Sequence, residues 1–167
     1  MTQYFEILIR GPRPNVSLLL PSGAKARGLA FQESATAGLA ELADGTKPYA
    51  GFVTNAVVTA IPTPTYAELA APANVAAKQL ENPFLAGDDG SFEDAEEVIA
   101  GGTDYIDTSV NSGVALKTGI SFDAGKFKVC AATKLAHFVL VEKVTIDSLA
   151  CYRFQRLYGS SSATVGS

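Results

Sequence analysis

The sequence has little of the raw material on which most catalytic and metal sites depend. It contains no tryptophan and a single histidine, His137, among 167 residues. Histidine is the usual general base near neutral pH and a common metal ligand, so histidine-based catalysis and zinc binding have almost no candidates. Charged residues make up only 18% of the chain, and the net charge is -4. An acidic chain without a basic run is poorly suited to binding a nucleic-acid backbone.

Cysteine and long apolar segments are also scarce. Cys130 and Cys151 are 21 positions apart and form no CxxC pair. This favours two free thiols in a reducing cytosol, while a cross-strand disulfide remains an alternative. No run of about 18 apolar residues occurs, so we expect no membrane span. The first ten residues have no basic segment, and Glu6 interrupts their apolar run, so we expect no signal peptide.

Strand-like alternation is what the sequence does contain. Near the N-terminus Phe5, Ile7 and Ile9 share one parity, and near the C-terminus Tyr152 and Phe154 share another. Such alternation is typical of sheets with one buried face. In the C-terminal strand we expect the aromatic side chains to face the core and the arginines to face solvent. The sequence therefore predicts a mainly β protein.

The middle of the chain follows a different pattern. Pro62 and Pro64 mark an extended linker, and Thr65 to Glu68 has the form of a helix capping box. A second short helical stretch is expected over 73–81. An acidic loop is expected over 87–97, because six of its eleven residues are aspartate or glutamate. These features predict an insertion between two β-rich parts.

We therefore divide the chain into four parts. The first is an N-terminal β lobe over 1–60, followed by a linker with short helices and an acidic loop over 61–102. A C-terminal β lobe covers 103–158, and a Gly/Ser tail covers 159–167. The predicted fold is a small β-barrel or β-tulip, or a sandwich of two β lobes with a short helical insertion.

No catalytic, cofactor or metal constellation emerges from the motifs. Gly119 to Lys126 has one residue too many for a phosphate-binding loop and reads better as a hairpin turn. The acidic loop fails the EF-hand pattern, because Gly90 as sixth position would put Leu85 first. His137 lies at an expected strand start and is predicted to be a half-buried structural residue. We expect no enzyme activity, cofactor or small-molecule substrate.

The order of strands and turns resembles the head decoration, or capsid cement, proteins of tailed bacteriophages. The resemblance rests on six segments, in chain order Gly28 to Phe31, Ala43 to Val53, Asp104 to Ile106, Ser112 to Val114, Ile120 to Phe127 and the closing strand Cys151 to Leu157. The insertion from Pro62 to Gly102 departs from the compact members of that family.

The resemblance implies a structural protein of the virion. Such proteins are made in the host cytoplasm and bind the outer surface of an expanded icosahedral capsid. They often form homotrimers and stabilise the shell by bridging subunits of the major capsid protein. Neither nucleic acid nor membrane is an implied partner.

The N-terminal segment is the expected contact region with the capsid or with a neighbouring copy. It is apolar on one parity, contains no proline and has the form of a strand that can add to another sheet. An ordinary first strand of its own barrel fits the same residues equally well. The contact residues are Thr2, Tyr4, Phe5, Ile7, Ile9 and Arg10.

The leading alternative is a β-sandwich binding module of the glycan-binding or adhesin type. Tyr66 and Tyr105 would then be its candidate contacts. Sugar-binding platforms favour exposed tryptophan and tyrosine, and this chain has six tyrosines but no tryptophan. A small β-barrel hydrolase is a further alternative, disfavoured by the missing nucleophile, histidine and metal sets.

Overall fold

The computed structural model describes residues 1–60 and 83–158, and these residues contain strands but no helix. The prediction of a mainly β fold is confirmed. The helices expected within 61–82 and the Gly/Ser tail over 159–167 lie outside the described residues. The thirteen strands are β1 Tyr4–Arg10, β2 Val16–Leu19, β3 Ala30–Glu33, β4 Ala40–Leu42, β5 Tyr49–Val53, β6 Val57–Val58, β7 Phe84–Leu85, β8 Asp89–Glu93, β9 Ala95–Gly101, β10 Gly119–Asp123, β11 Lys126–Val129, β12 Phe138–Ile146 and β13 Leu149–Arg156.

The strands form two large sheets and a small parallel pair. The six-stranded sheet has the order β1-β9-β13-β12-β10-β11, and the five-stranded sheet has the order β2-β8-β5-β3-β4. Strands β6 and β7 pair in parallel. The sheets curl into a half-barrel. In the five-stranded sheet, a bridge between Leu19 and Leu39 brings the two edge strands close together.

The five-stranded sheet lies between two hydrophobic cores. Along β3 and β5, Ala30 and Phe52 face the six-stranded sheet and form part of the larger core, whereas Phe31 and Val53 face the opposite way into a smaller one. Successive side chains of a strand point to opposite faces, so both faces of this sheet are buried. The larger core, called the inter-sheet core below, holds most of the buried aromatic rings, namely Tyr49, Phe52, Phe122, Phe127, Phe138, Tyr152 and Phe154.

The chain passes between the two large sheets at two neighbouring crossings. Strand β1 belongs to the six-stranded sheet and β2 to the five-stranded sheet, while β8 and β9 make the reverse passage through the single residue Asp94. The amide of Gly11 donates to the carbonyl of Asp94 at 3.0 Å, which ties the crossings together. A Cβ atom at Gly11 would collide with the Asp94 carboxylate, so this close approach requires glycine.

The structure corrects the expected acidic loop over 87–97. Residues Asp89–Glu93 and Ala95–Gly101 are strands β8 and β9, and β9 lies between β1 and β13 in the six-stranded sheet. Gly90 and Phe92 are buried in one sheet, and Ala95, Val98 and Ala100 in the other. The acidic side chains that suggested a loop are accommodated here by cationic partners, with Glu93 paired to Arg10 and Glu97 to Arg153.

The sheets do not follow the boundaries of the predicted lobes. The six-stranded sheet combines β1 from the first 60 residues, β9 from the expected linker and four strands from the last third. The five-stranded sheet takes β8 from the same linker. Hairpin turns join β10 to β11 and β12 to β13. The prediction of a hairpin over Gly119 to Lys126 is therefore confirmed.

Candidate docking surface

Strand β1 forms one edge of the six-stranded sheet. It pairs with β9 on one side, and no strand of the described residues pairs with its other side. An edge strand presents unpaired backbone N–H and C=O groups, to which a further strand can bind. The predicted contact segment therefore lies where an edge-strand contact is geometrically available.

The two sides of β1 have different environments. Phe5 and Ile7 pack against the inter-sheet core. The pairing with β9 is irregular between Ile7 and Ile9, so Leu8 is the extra residue of a bulge. Ile9 consequently leaves the parity of Phe5 and Ile7, against the sequence expectation, and is 47% exposed, while Leu8 is 42% exposed. Two neighbouring aliphatic side chains thus stand in solvent on an edge strand.

A cleft of about 170 Å³ lies beside β1. Its lining includes apolar side chains from both large sheets, among them Phe5, Phe52 and Val53. Arg10 and Glu93 also line it and are joined by an ion pair of 2.5 Å. Arg27 is exposed and lines the same cleft. We call β1 and this cleft the β1 docking surface.

The remaining predicted contact residues lie at the start and end of β1. Thr2 is exposed, and Tyr4 is half-buried with its hydroxyl donating to the Glu6 carboxylate. That hydrogen bond raises the pKa of the Tyr4 phenol. The Arg10 side chain is 82% exposed. Of the six predicted residues, Phe5 and Ile7 pack against the inter-sheet core and Tyr4 is half-buried. The other three, Thr2, Ile9 and Arg10, are accessible to a partner.

The inter-sheet crossings carry a buried charge network that no sequence motif predicts. The side chain of Asp94 is 1% exposed, and its Oδ1 accepts hydrogen bonds from the Tyr49 hydroxyl at 2.7 Å and from Arg13 Nη2 at 2.8 Å. Arg156 Nη1 lies 3.7 Å from the same oxygen. The Arg156 guanidinium stacks over the Tyr49 ring at 4.0 Å, a cation–π contact. We call these four residues together with His137 the junction network.

The junction network sets the protonation of its members. Burial opposes ionisation of Asp94, but hydrogen bonds from Arg13 and Tyr49 outweigh it, and the pKa of Asp94 is lowered. Burial raises the pKa of the Tyr49 phenol, and the hydrogen bond to Asp94 adds to that rise. Burial next to Arg156 lowers the pKa of His137 to about 4. Near neutral pH the network therefore holds one carboxylate, two guanidiniums and two neutral rings.

The structure corrects the placement of Arg156 and His137. The C-terminal arginines were predicted on the solvent face, but Arg156 pairs with Phe138 and points inward, with its side chain 10% exposed. The available signal was its parity, since Arg156 is an even-numbered position like the buried Tyr152 and Phe154. His137 is 6% exposed and thus buried more completely than expected.

The cysteines and potential metal ligands of the described residues form no metal site. Both cysteines are free. Cys130 is half-buried at the end of β11, and Cys151 is buried with its sulfur against Gly101. Among residues 1–60 and 83–158, no group of three or more His, Cys, Asp or Glu side chains is placed to hold a metal ion. The same residues include no helix that is long and apolar enough to cross a membrane.

Comparisons of the chain with protein-family models, with curated proteins and with solved structures give no match.

Proposed function

We propose that this chain is a structural virion protein that binds the outer surface of an icosahedral phage capsid and bridges major capsid protein subunits. The proposal starts from the order of strands and turns, which resembles that of capsid cement proteins. The observation that carries it furthest is the β1 docking surface, where an unpaired strand edge, two exposed aliphatic side chains and a charged cleft occur together.

The physical basis of such a role is mass action. A protein that binds the assembled shell but not its free subunits stabilises the shell by the free energy of binding. Contacts that are weak individually add up when one molecule, or a homotrimer, engages several subunits at once. An edge strand with Leu8 and Ile9 exposed provides backbone hydrogen bonds together with apolar burial. This role needs neither a cofactor nor a catalytic group.

Co-sedimentation with purified heads tests the proposal. The probes are expanded heads and unexpanded shells of the phage whose genome encodes the chain. We expect saturable binding to expanded heads and much weaker binding to unexpanded shells, together with a higher temperature of head disruption when the sites are filled. Absence of binding to both kinds of particle would rule the proposal out.

A further inference from the structure

His137 occupies an unusual position for the only histidine of the chain. Its ring lies 5.5 Å from that of Phe122 and 5.7 Å from that of Tyr49, measured between centroids. Its Nε2 atom is buried and has no hydrogen-bond partner among the described residues. A buried polar atom without a partner is costly, so such a position calls for an explanation.

The charged groups around His137 come from several elements. Arg156 approaches from β13 and Arg13 from the β1–β2 crossing, and both disfavour a positive charge on the imidazole. The Lys47 carbonyl, just before β5, favours it. Tyr49 faces the ring from β5 without a charge, and Asp94 at the β8–β9 crossing is already shared by the two guanidiniums. A proton on His137 would add a third positive charge beside a single buried carboxylate.

We propose that the junction network is an acid-sensitive latch, in which protonation of His137 opens the two inter-sheet crossings while the rest of the inter-sheet core stays closed. The proton binds at Nε2, the imidazole nitrogen that has no partner in the part of the chain that the structure describes. The imidazolium is poorly hydrated and repelled by Arg156 and Arg13 as long as the network is closed. Opening hydrates the charge and separates it from Arg13, which moves away with the β1–β2 segment.

The opening is local because of where the crossings lie. Strand β1 is an edge of the six-stranded sheet, and β2 is an edge of the five-stranded sheet. Among the described residues β1 pairs with β9 alone, and β2 pairs with β8 and has one bridge to Leu39. The connected β1–β2 unit therefore separates at lower cost than an internal strand. Arg13 and the Gly11 amide hold this unit to Asp94. Most rings of the inter-sheet core come from β5 and β10 to β13, whereas β1 contributes only the partly buried Phe5 and Ile7.

Amide hydrogen exchange at pH 7.5 and pH 4.5 tests the latch in the full chain. The pKa of His137 is about 4 in the closed network, and we take the ordinary value of 6.5 for the open state. The equilibrium constant for opening should then rise roughly 70-fold from pH 7.5 to pH 4.5. After correction for intrinsic exchange, we expect that loss of protection at the Gly11 and Arg13 amides, which donate to the carbonyl and the carboxylate of Asp94. The amides of Val53 and Leu140, which donate to Leu29 and Thr118, should change little.

Two variants link the effect to the imidazole. His137→Phe keeps a ring against Phe122 and Tyr49 but cannot take a proton, so the pH dependence at Gly11 and Arg13 should disappear. Arg156→Met removes a neighbouring positive charge and should move the pKa of His137 towards 6.5. That pKa is read directly from the imidazole Cε1–H resonance, which is unambiguous because the chain has one histidine.

A protection loss that is equal at all four amides would mean global unfolding and would overturn the latch. An unchanged pH dependence in His137→Phe would also overturn it. If that variant does not fold, the wild-type imidazole resonance decides the matter, since titration near pH 6.5 with unchanged protection contradicts the proposal.

Discussion

Tyr49 joins the hydrophobic core to the charge network. Its ring lies 5.5 Å from that of Phe52 and 5.6 Å from that of Phe138, between centroids, within the inter-sheet core. Its hydroxyl donates to Asp94 at 2.7 Å and accepts a hydrogen bond from the Ala95 amide at 3.3 Å. One side chain thus fills core volume and provides partners for two buried polar groups. Its hydroxyl should therefore contribute to stability separately from its ring.

Removal of that hydroxyl is the first test at the residue scale. We expect Tyr49→Phe to lower the free energy of unfolding by about 1–3 kcal/mol, because Asp94 and the Ala95 amide each lose a partner in a buried site. Urea denaturation measures the change. Tyr158→Phe is the matched control, since Tyr158 is 57% exposed, and its effect should be close to zero. Equal losses in the two variants would contradict the importance of the buried hydroxyl.

The carboxylate of Asp94 gives a second test, through pH. Its pKa is lowered in the folded protein, so its stabilising effect is present above the unfolded value of 3.8 and is lost as the pH falls through the folded value. We expect Asp94→Asn to lower stability by about 3–5 kcal/mol near neutral pH, because Arg156 and Arg13 are left without a carboxylate. Below pH 4 the difference in stability between the variant and the wild type should become smaller. Thermal unfolding at several pH values measures it, and a constant gap would contradict the assignment.

Residue positions in this network were only partly predictable from sequence. Alternation correctly placed Tyr152 and Phe154 in the core, and extending the same parity would have placed Arg156 there too. The general tendency of arginine to face solvent outweighed that signal. Its neighbours Asp94 and Tyr49 are separated from Arg156 by 62 and 107 positions in the chain. Nothing local in the sequence shows that they meet.

At the scale of elements, the β12–β13 hairpin has a turn whose second central residue does not suit its conformation. Asp147 and Ser148 have φ values of 45° and 66°. Two successive residues with positive φ are the signature of a type I′ turn, which favours Asn-Gly or Asp-Gly. Serine is strained in this region, whereas glycine is not.

Ser148→Gly should therefore stabilise the protein by about 0.5–1 kcal/mol, as relief of strain outweighs the greater freedom of glycine in the unfolded chain. The β10–β11 turn provides a control of opposite sign. Gly125 has a φ of 77°, and a Cβ atom there would lie 2.9 Å from the Ala30 carbonyl oxygen. Gly125→Ala should destabilise the fold. Guanidinium denaturation compares the two, and a loss of stability in Ser148→Gly would show that the serine side chain has a stabilising contact.

The β1 docking surface makes a prediction at the same scale. Replacing both Leu8 and Ile9 with asparagine should reduce binding to expanded heads at least tenfold while leaving the melting temperature nearly unchanged, because both side chains are exposed. Leu116→Asn is the control, since Leu116 is also exposed but lies outside β1. Co-sedimentation measures the binding. Equal binding by the double variant and the control would move the contact away from β1.

Strands with clear alternation were predictable, and β8 and β9 were not. Their acidic residues outweighed the buried positions Phe92, Val98 and Ala100 in the sequence pattern. Strand β9 is stabilised by β1 on one side and β13 on the other, from opposite ends of the chain. Pairing with strands that are distant in sequence lets a segment rich in acidic residues form a strand, although its local sequence predicts a loop.

At the scale of the whole molecule, the sheets interleave segments that are distant in sequence. Each of the two predicted lobes lacks strands that its sheet needs, since β8 and β9 come from the segment between them. The six-stranded sheet covers the face of the five-stranded sheet that carries Ala30 and Phe52. We therefore expect the isolated fragments 1–60 and 103–158 to be unfolded, as seen by narrow amide proton dispersion in NMR spectra. A well-dispersed spectrum from either fragment would instead support an independent lobe.

The fold class was within reach of sequence analysis, and the candidate site was only partly so. Composition and alternation identify a mainly β chain, and β1 was correctly predicted as a strand, in which Ile9 and Arg10 are exposed. The bulge at Leu8, which turns Ile9 outward, arises from the register with β9 and has no local signature. The junction network likewise exists only once the two sheets are assembled.

The unequal environments of the two thiols also have a practical consequence. The Cys151 sulfur is buried against Gly101, whereas Cys130 is half-buried at the end of β11. The native molecule thus has one favoured attachment point for a maleimide dye or a gold cluster. A label on Cys130 would show the orientation of the molecule in an electron micrograph, without any engineered cysteine.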